Sequence, residues 1–200
     1  MRRIALVIIM LVSFLSGFGQ NVDVKAKIDE IRKMYNNEME WINTMLGDET
    51  IPDDCITAKI RHNIAAAGQS DETVEYYFSD DFDEEIGHYV SSLNFVRKTV
   101  VYIDSERKSY EEFLYDKDGL PAFYFTGFQT YCLKNGKYEE VYVEIRAYYD
   151  KGERIHTICK VGKDKSSLTE QPLEEDFNHY LQFGYDAFEK NKKALDGMVN

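Results

Sequence analysis

The chain has 200 residues, with 36 Asp and Glu against 24 Lys and Arg and a formal charge of −12. That length is one domain's worth, enough to bury a sizeable core. The negative charge excludes phosphate backbones and anionic membrane surfaces as natural partners.

The first twenty residues say where the protein goes. Arg2 and Arg3 give a positive start, Ile4 to Leu15 an almost unbroken apolar run, and Ser16, Gly17 and Gly19 the small residues of a cleavage site. This layout predicts a secretory signal peptide over 1–19, a mature N-terminus at Gln20 and a single globular domain over 20–200. The apolar stretch from Ile4 to Phe18 falls short of the ~20 residues that span a bilayer. No Cys stands near the cut to carry a lipid. The predicted destination is therefore secreted or periplasmic, without stable membrane anchoring. Cys55, Cys132 and Cys159 form neither a disulfide scaffold, being odd in number, nor a zinc pattern, lacking C-x-x-C spacing and a nearby His pair.

In chain order, Asp23 to Leu46 has helical spacing, with Ile28, Ile31, Tyr35, Met39, Ile42 and Leu46 on one stripe and Gly47 and Pro52 closing it. Trp41, with Met34 and Met45, lies away from that stripe and is expected to pack under a loop or the second helix. From Ile56 to Val161 the period switches to two, with strands expected at Ile56–Ile64, Val74–Phe78, Leu93–Ile103, Tyr110–Tyr115, Ala122–Leu133, Tyr138–Tyr149 and Arg154–Val161. Asn135-Gly136 predicts a two-residue hairpin that pairs Thr130 with Val141 and Phe128 with Val143. Asp150-Lys151-Gly152 predicts a three-residue loop that pairs Val143 with Cys159 and sets His156 opposite Arg146. With those registers Cys132 and Cys159 stand roughly 16 Å apart, beyond disulfide reach. Thr169 to Leu195 returns to helical spacing, with Thr169 as the expected cap. The predicted fold is α+β: an antiparallel meander of six or seven strands with an N-terminal and a C-terminal helix packed on the sheet. In coarse topology this order resembles exported half-barrels that carry lipoproteins or lipids, a resemblance that implies an apolar cavity.

No nucleophile elbow, zinc-protease helix, phosphate loop or dinucleotide fingerprint occurs, so no residue is singled out as catalytic, no metal ligand set is assigned and no cofactor is expected. The acidic run from Ser79 to Glu85 lacks calcium-loop spacing and reads as a solvated loop. His62 falls on the apolar side of its strand and reads as a satisfied core histidine. The residues from Tyr138 to Tyr149 alternate cleanly, placing Tyr138, Tyr142, Arg146 and Tyr148 on the side away from Val141, Val143 and Ile145, and the hairpin adds His156 to them. Tyrosines interleaved with charge make a surface suited to a protein or a glycan. The expectation is a non-enzymatic exported binding protein using that face. The alternatives are a periplasmic carrier holding an apolar ligand between sheet and helices, suggested by the two-sided apolar strand Ala122–Leu133, and a hydrolase-type enzyme.

Overall fold

The computed structural model describes residues 23–44, 55–64, 68–85, 87–134 and 136–199. The signal segment lies outside them, as do Met45, Leu46, Gly47 and Pro52 at the expected close of the first helix. Helix α1 occupies 23–44. Eight strands follow: β1 Cys55–Ile64, β2 Gly68–Asp83, β3 His88–Tyr102, β4 Lys108–Tyr115, β5 Pro121–Lys134, β6 Lys137–Asp150, β7 Glu153–Gly162 and β8 Thr169–Gln171. A short 3-10 turn, Glu175–Phe177, leads into helix α2, Asn178–Val199. The strands form one sheet in sequence order, every neighbour antiparallel. The class is α+β, with one strand more than the upper expectation because β8 adds a short edge.

The two helices cover opposite faces, so the layers run helix, sheet, helix. On α2's side Phe177, Leu181, Phe188 and Leu195 pack on Val96, Phe113, Tyr124, Val143, Ile145 and Ala147. On α1's side Ile28, Ile31 and Ile42 pack on Tyr77, Phe95, Leu114, Phe123 and Tyr148. The period of two makes this possible: alternate residues of each central strand point to opposite helices.

The Asn135–Gly136 hairpin has the expected register, Thr130 with Val141 and Phe128 with Val143. The next hairpin differs. Lys151 and Gly152 both adopt positive φ, 52° and 79°, so the loop has two residues and Asp150 pairs with Glu153. A bulge between Tyr148 and Tyr149 then moves the register, and Val143 pairs with Val161 and Ile145 with Cys159. The shift from the expected pairing is two residues, which keeps every side chain on its expected face. It puts His156 opposite Tyr148 rather than Arg146. Cys132 pairs with Glu139, and it is not joined to Cys159.

The C-terminal helix begins later than its spacing suggests. Thr169 is in β8 and pairs with Val161. Pro172 follows Gln171, and a residue before proline is pushed to extended geometry, which ends any helical start there. The acidic run is also ordered differently: Ser79 to Asp83 completes β2, and only the turn beyond it is a loop, where the Glu85 N–H donates to Asp83 Oδ1 (2.8 Å).

Candidate functional site

A cleft of about 420 Å³ opens between α1 and the sheet, lined by Ile31, Arg32, Tyr35 and Asn36 from the helix, Glu112 from β4, Phe123 and Phe125 from β5, and Arg146 and Tyr148 from β6. Its volume lies within the range of small-molecule sites. Each wall follows from the secondary structure. Ile31 and Tyr35 are one helical turn apart on the stripe that faces the sheet, and Arg32 and Asn36 flank them. Phe123 and Phe125 alternate with Tyr124, whose ring points to α2, so they present two phenyl faces to α1. Arg146 is directly across from Phe125, and Tyr148 from Phe123.

The floor is aromatic. The Tyr35 and Tyr148 rings each lie 5.2 Å from Phe123, centroid to centroid. The polar groups stand around it. The Tyr35 hydroxyl donates to Glu112 Oε2 (2.6 Å), and Arg97 Nε lies 3.7 Å from Glu112 Oε1. Burial, then the Glu112 charge and its hydrogen bond, hold the Tyr35 phenol above its ordinary pKa. Arg146 donates one N–H to Glu144 Oε2 (3.0 Å), with its guanidinium carbon 5.9 Å from the Phe125 ring centre. Arg32 Nε donates weakly to the Tyr148 hydroxyl (3.4 Å), and its guanidinium lies 5.7 Å from that ring. The arrangement suits binding: aromatic faces for a flat or apolar body, guanidiniums for negative charge.

The five residues expected to form a surface do share one side of the sheet, but not one environment. Arg146 and Tyr148 meet in the cleft. His156 is exposed beside Tyr148, rings 6.1 Å apart. Tyr138 is 76 % exposed at the far end of β6, opposite Leu133. Tyr142 and Tyr148 are only 5 % and 2 % exposed, which corrects the reading of an open tyrosine face. Tyr148 lies under α1. Tyr142 lies under the β7–β8 loop, where Lys165 Nζ is 5.2 Å from its ring and 4.4 Å from that of Tyr110. Serine at 142 and 148 would therefore empty buried volume rather than edit a surface.

The helix contribution, Arg32, Tyr35 and Asn36, and Glu112 on β4 were not expected at a site. Only the shared parity of Phe123 and Phe125 signalled a covered strand. Trp41 packs on the sheet, 6.4 Å from Tyr77, so α1 buries a wider arc than its stripe suggests. His62 is not a core residue. Its side chain is 37 % exposed, with Nε2 3.4 Å from Glu72 Oε2 but not aligned for a hydrogen bond.

A second, more polar cleft of about 470 Å³ lies between the β4–β5 turn and the end of α2, lined by Ser91, Asp116, Asp118, Lys192 and Asp196 among others. Among the described residues no three His, Cys, Asp or Glu are grouped to hold a metal ion. The chain matches no family model, no curated protein and no solved structure.

Proposed function

We propose that the chain is an exported, non-enzymatic binding protein that holds a small organic ligand in the cleft between α1 and strands β4 to β6. The observation that supports this reading is the composition of one cavity: a floor of Phe123, Phe125 and Tyr148 with Arg32 and Arg146 above it. This is the carrier alternative, with a polar rim added to the apolar floor. The test is a thermal-shift screen of amphipathic small molecules on the wild type and on Asn36→Trp. Asn36 is exposed at the rim, so an indole there fills the cleft without disturbing the core. A ligand at a hundred times its Kd stabilises by about 2.7 kcal/mol, and Asn36→Trp is expected to abolish the shift. An unchanged shift in the variant would place the ligand elsewhere. Export has its own check: mass spectrometry of the released protein is expected to begin at Gln20, and a retained Met1 would overturn it.

A second reading rests on a different observation. Tyr131, Leu133 and Tyr138 are 54 %, 63 % and 76 % exposed on the free end of the β5–β6 hairpin. These side chains offer a protein or glycan partner an aromatic contact. Tyr138→Ser separates the readings, because it should leave the cleft ligand untouched and weaken only a partner bound at the tip.

A further inference from the structure

We infer that the ligand of the α1 cleft is an amphipathic organic anion, its negative head seated on Arg146 and Arg32 and its apolar body along Phe125 and Phe123. This rests on the cleft being the binding site.

Among the described residues Glu112 is the carboxylate in the cleft lining, and it already accepts from Tyr35 on one oxygen and faces Arg97 on the other. Arg97 in turn has Glu75 at 3.9 Å. Glu144, 13 % exposed, takes a single N–H of Arg146. A guanidinium offers five donors, and Arg146, which lines the cleft, has one of them on Glu144. Among the described residues Arg32 is held by the exposed Asp29 and by Tyr148, each at 3.4 Å. The spare groups in the cleft lining are guanidinium donors, and a ligand that meets them must bring acceptors.

Tyr142 stands beside the Phe125 end of the floor, outside the cleft lining. It is 5 % exposed, and its hydroxyl oxygen is buried without a hydrogen-bond partner. A buried polar atom in that state costs free energy unless something arrives to meet it. Its position follows from Gly127: a Cβ there would stand 2.5 Å from the Tyr142 hydroxyl and 3.2 Å from the Phe125 ring, so the absent side chain makes the berth. Tyr142 thus leans over Gly127 toward Phe125, from one side. Arg146 sits across from Phe125 and leans toward Glu144, from the other. Since Gly127 and Glu144 are a cross-strand pair, Tyr142 and Arg146 both border the Phe125 ring. Lys165 lies over the Tyr142 ring, and the Glu144 carboxylate acts on the same phenol. The overall charge of −12 would repel an anion from most of the surface, so the guanidiniums of the cleft are a local exception.

Isothermal titration of the full mature chain with decanoate, decanol and decylammonium tests the inference. Decanoate is expected to bind about tenfold tighter than decanol, as for a hydrogen bond to a charged group, and decylammonium weakest. Arg146→Met should remove that preference while leaving decanol affinity unchanged. Arg146→Lys should keep part of it, and covers the case in which the methionine variant does not fold. Equal binding of decanoate and decanol, or a variant at 146 that weakens both alike, overturns the anion while leaving the cleft as the site. Failure of all three probes to bind overturns the cleft reading itself.

Discussion

Against α2 the sheet presents Val96, Val143, Ile145 and Ala147, all fully buried, and two of the tyrosines among them donate to the protein: Tyr115 to the Phe188 carbonyl (3.0 Å) and Tyr124 to Glu111 (2.9 Å). Against α1 the same strands present Glu112, Glu144, Arg97 and Arg146. The helix itself contributes Glu38, whose buried Oε1 has no partner and whose carboxyl is pushed above its ordinary pKa by burial. Polar groups occur on α2's side too, some compensated within the protein and some not: Asn191 Nδ2 and His62 Nε2 are buried without a hydrogen-bond partner. Lys98 lies 3.3 Å from Glu72 and 3.2 Å from Glu111; burial lowers its pKa, the two carboxylates outweigh burial, and the net shift is upward. The α2 face spends more of its area on apolar packing. The α1 face sets more charge, Glu112, Glu144, Arg97 and Arg146, between helix and sheet, and a ligand can be served by such groups.

The largest expected effect tests where the stability sits. Phe188, 1 % exposed, packs edge-on against Phe113, Tyr115 and Tyr149. Phe188→Ala should cost ~3–5 kcal/mol in denaturant unfolding. Ile31→Ala, the matching cut in α1, should cost nearer ~2 kcal/mol, the low end for its type, because Ile31 borders the cleft. Equal costs would break the distinction between the faces. Next comes Gly184, which lies against the Tyr124 ring so closely that a Cβ would overlap it. Gly184→Ala gains helix propensity but forces α2 off the sheet, at a net cost of ~1–3 kcal/mol. A stabilised Gly184→Ala would show that the α2 packing yields easily.

Most of the sheet was legible because two signals agreed, the period of two and the Asn135–Gly136 turn. The second hairpin was off by two residues because Lys151, not a glycine, takes a left-handed φ, and because no residue type announces the bulge at Tyr148. The site was legible in parity and not in exposure. Tyr142, Glu144, Arg146 and Tyr148 read as a solvated face, since charge alternating with tyrosine is what water-facing strands carry. Two amphipathic helices carry no label saying which face each will cover. Only the tertiary assignment of α1 to that side turns a polar strand face into a cleft wall.

A pH titration sharpens the comparison further. Burial pushes Tyr77 and Tyr142 on α1's side and Tyr149 on α2's side up to about 12, and holds Tyr115 and Tyr124 above their ordinary values too. A raised folded pKa means the native state keeps its proton longer. Its contribution to stability is complete below the unfolded value near 10 and is lost as pH rises from about 10 to 12. Tyrosinate absorbance at 295 nm should therefore keep rising beyond about pH 10, the buried phenols ionising together with loss of far-UV circular dichroism. A single rise near pH 10 with unchanged circular dichroism would mean these phenols reach water in the native state.

The smallest effect concerns one oxygen atom, and its sign matters more than its size. Removing a hydroxyl that donates to a protein acceptor destabilises by about 1 kcal/mol. The Tyr124 hydroxyl is of that kind, so Tyr124→Phe should lower stability, the more because it frees a Glu111 oxygen. The Tyr142 hydroxyl has no such partner, so Tyr142→Phe should leave stability unchanged or raise it by up to about 1 kcal/mol, while the ring still fills the space over Gly127. Paired denaturant curves for the two variants thus read the two faces through the same chemical change. If both lose stability equally, the Tyr142 hydroxyl is satisfied within the protein in solution, and the α1 face holds no vacant donor there. If they move in opposite directions, the polar atom on α1's side is kept at a cost to the fold.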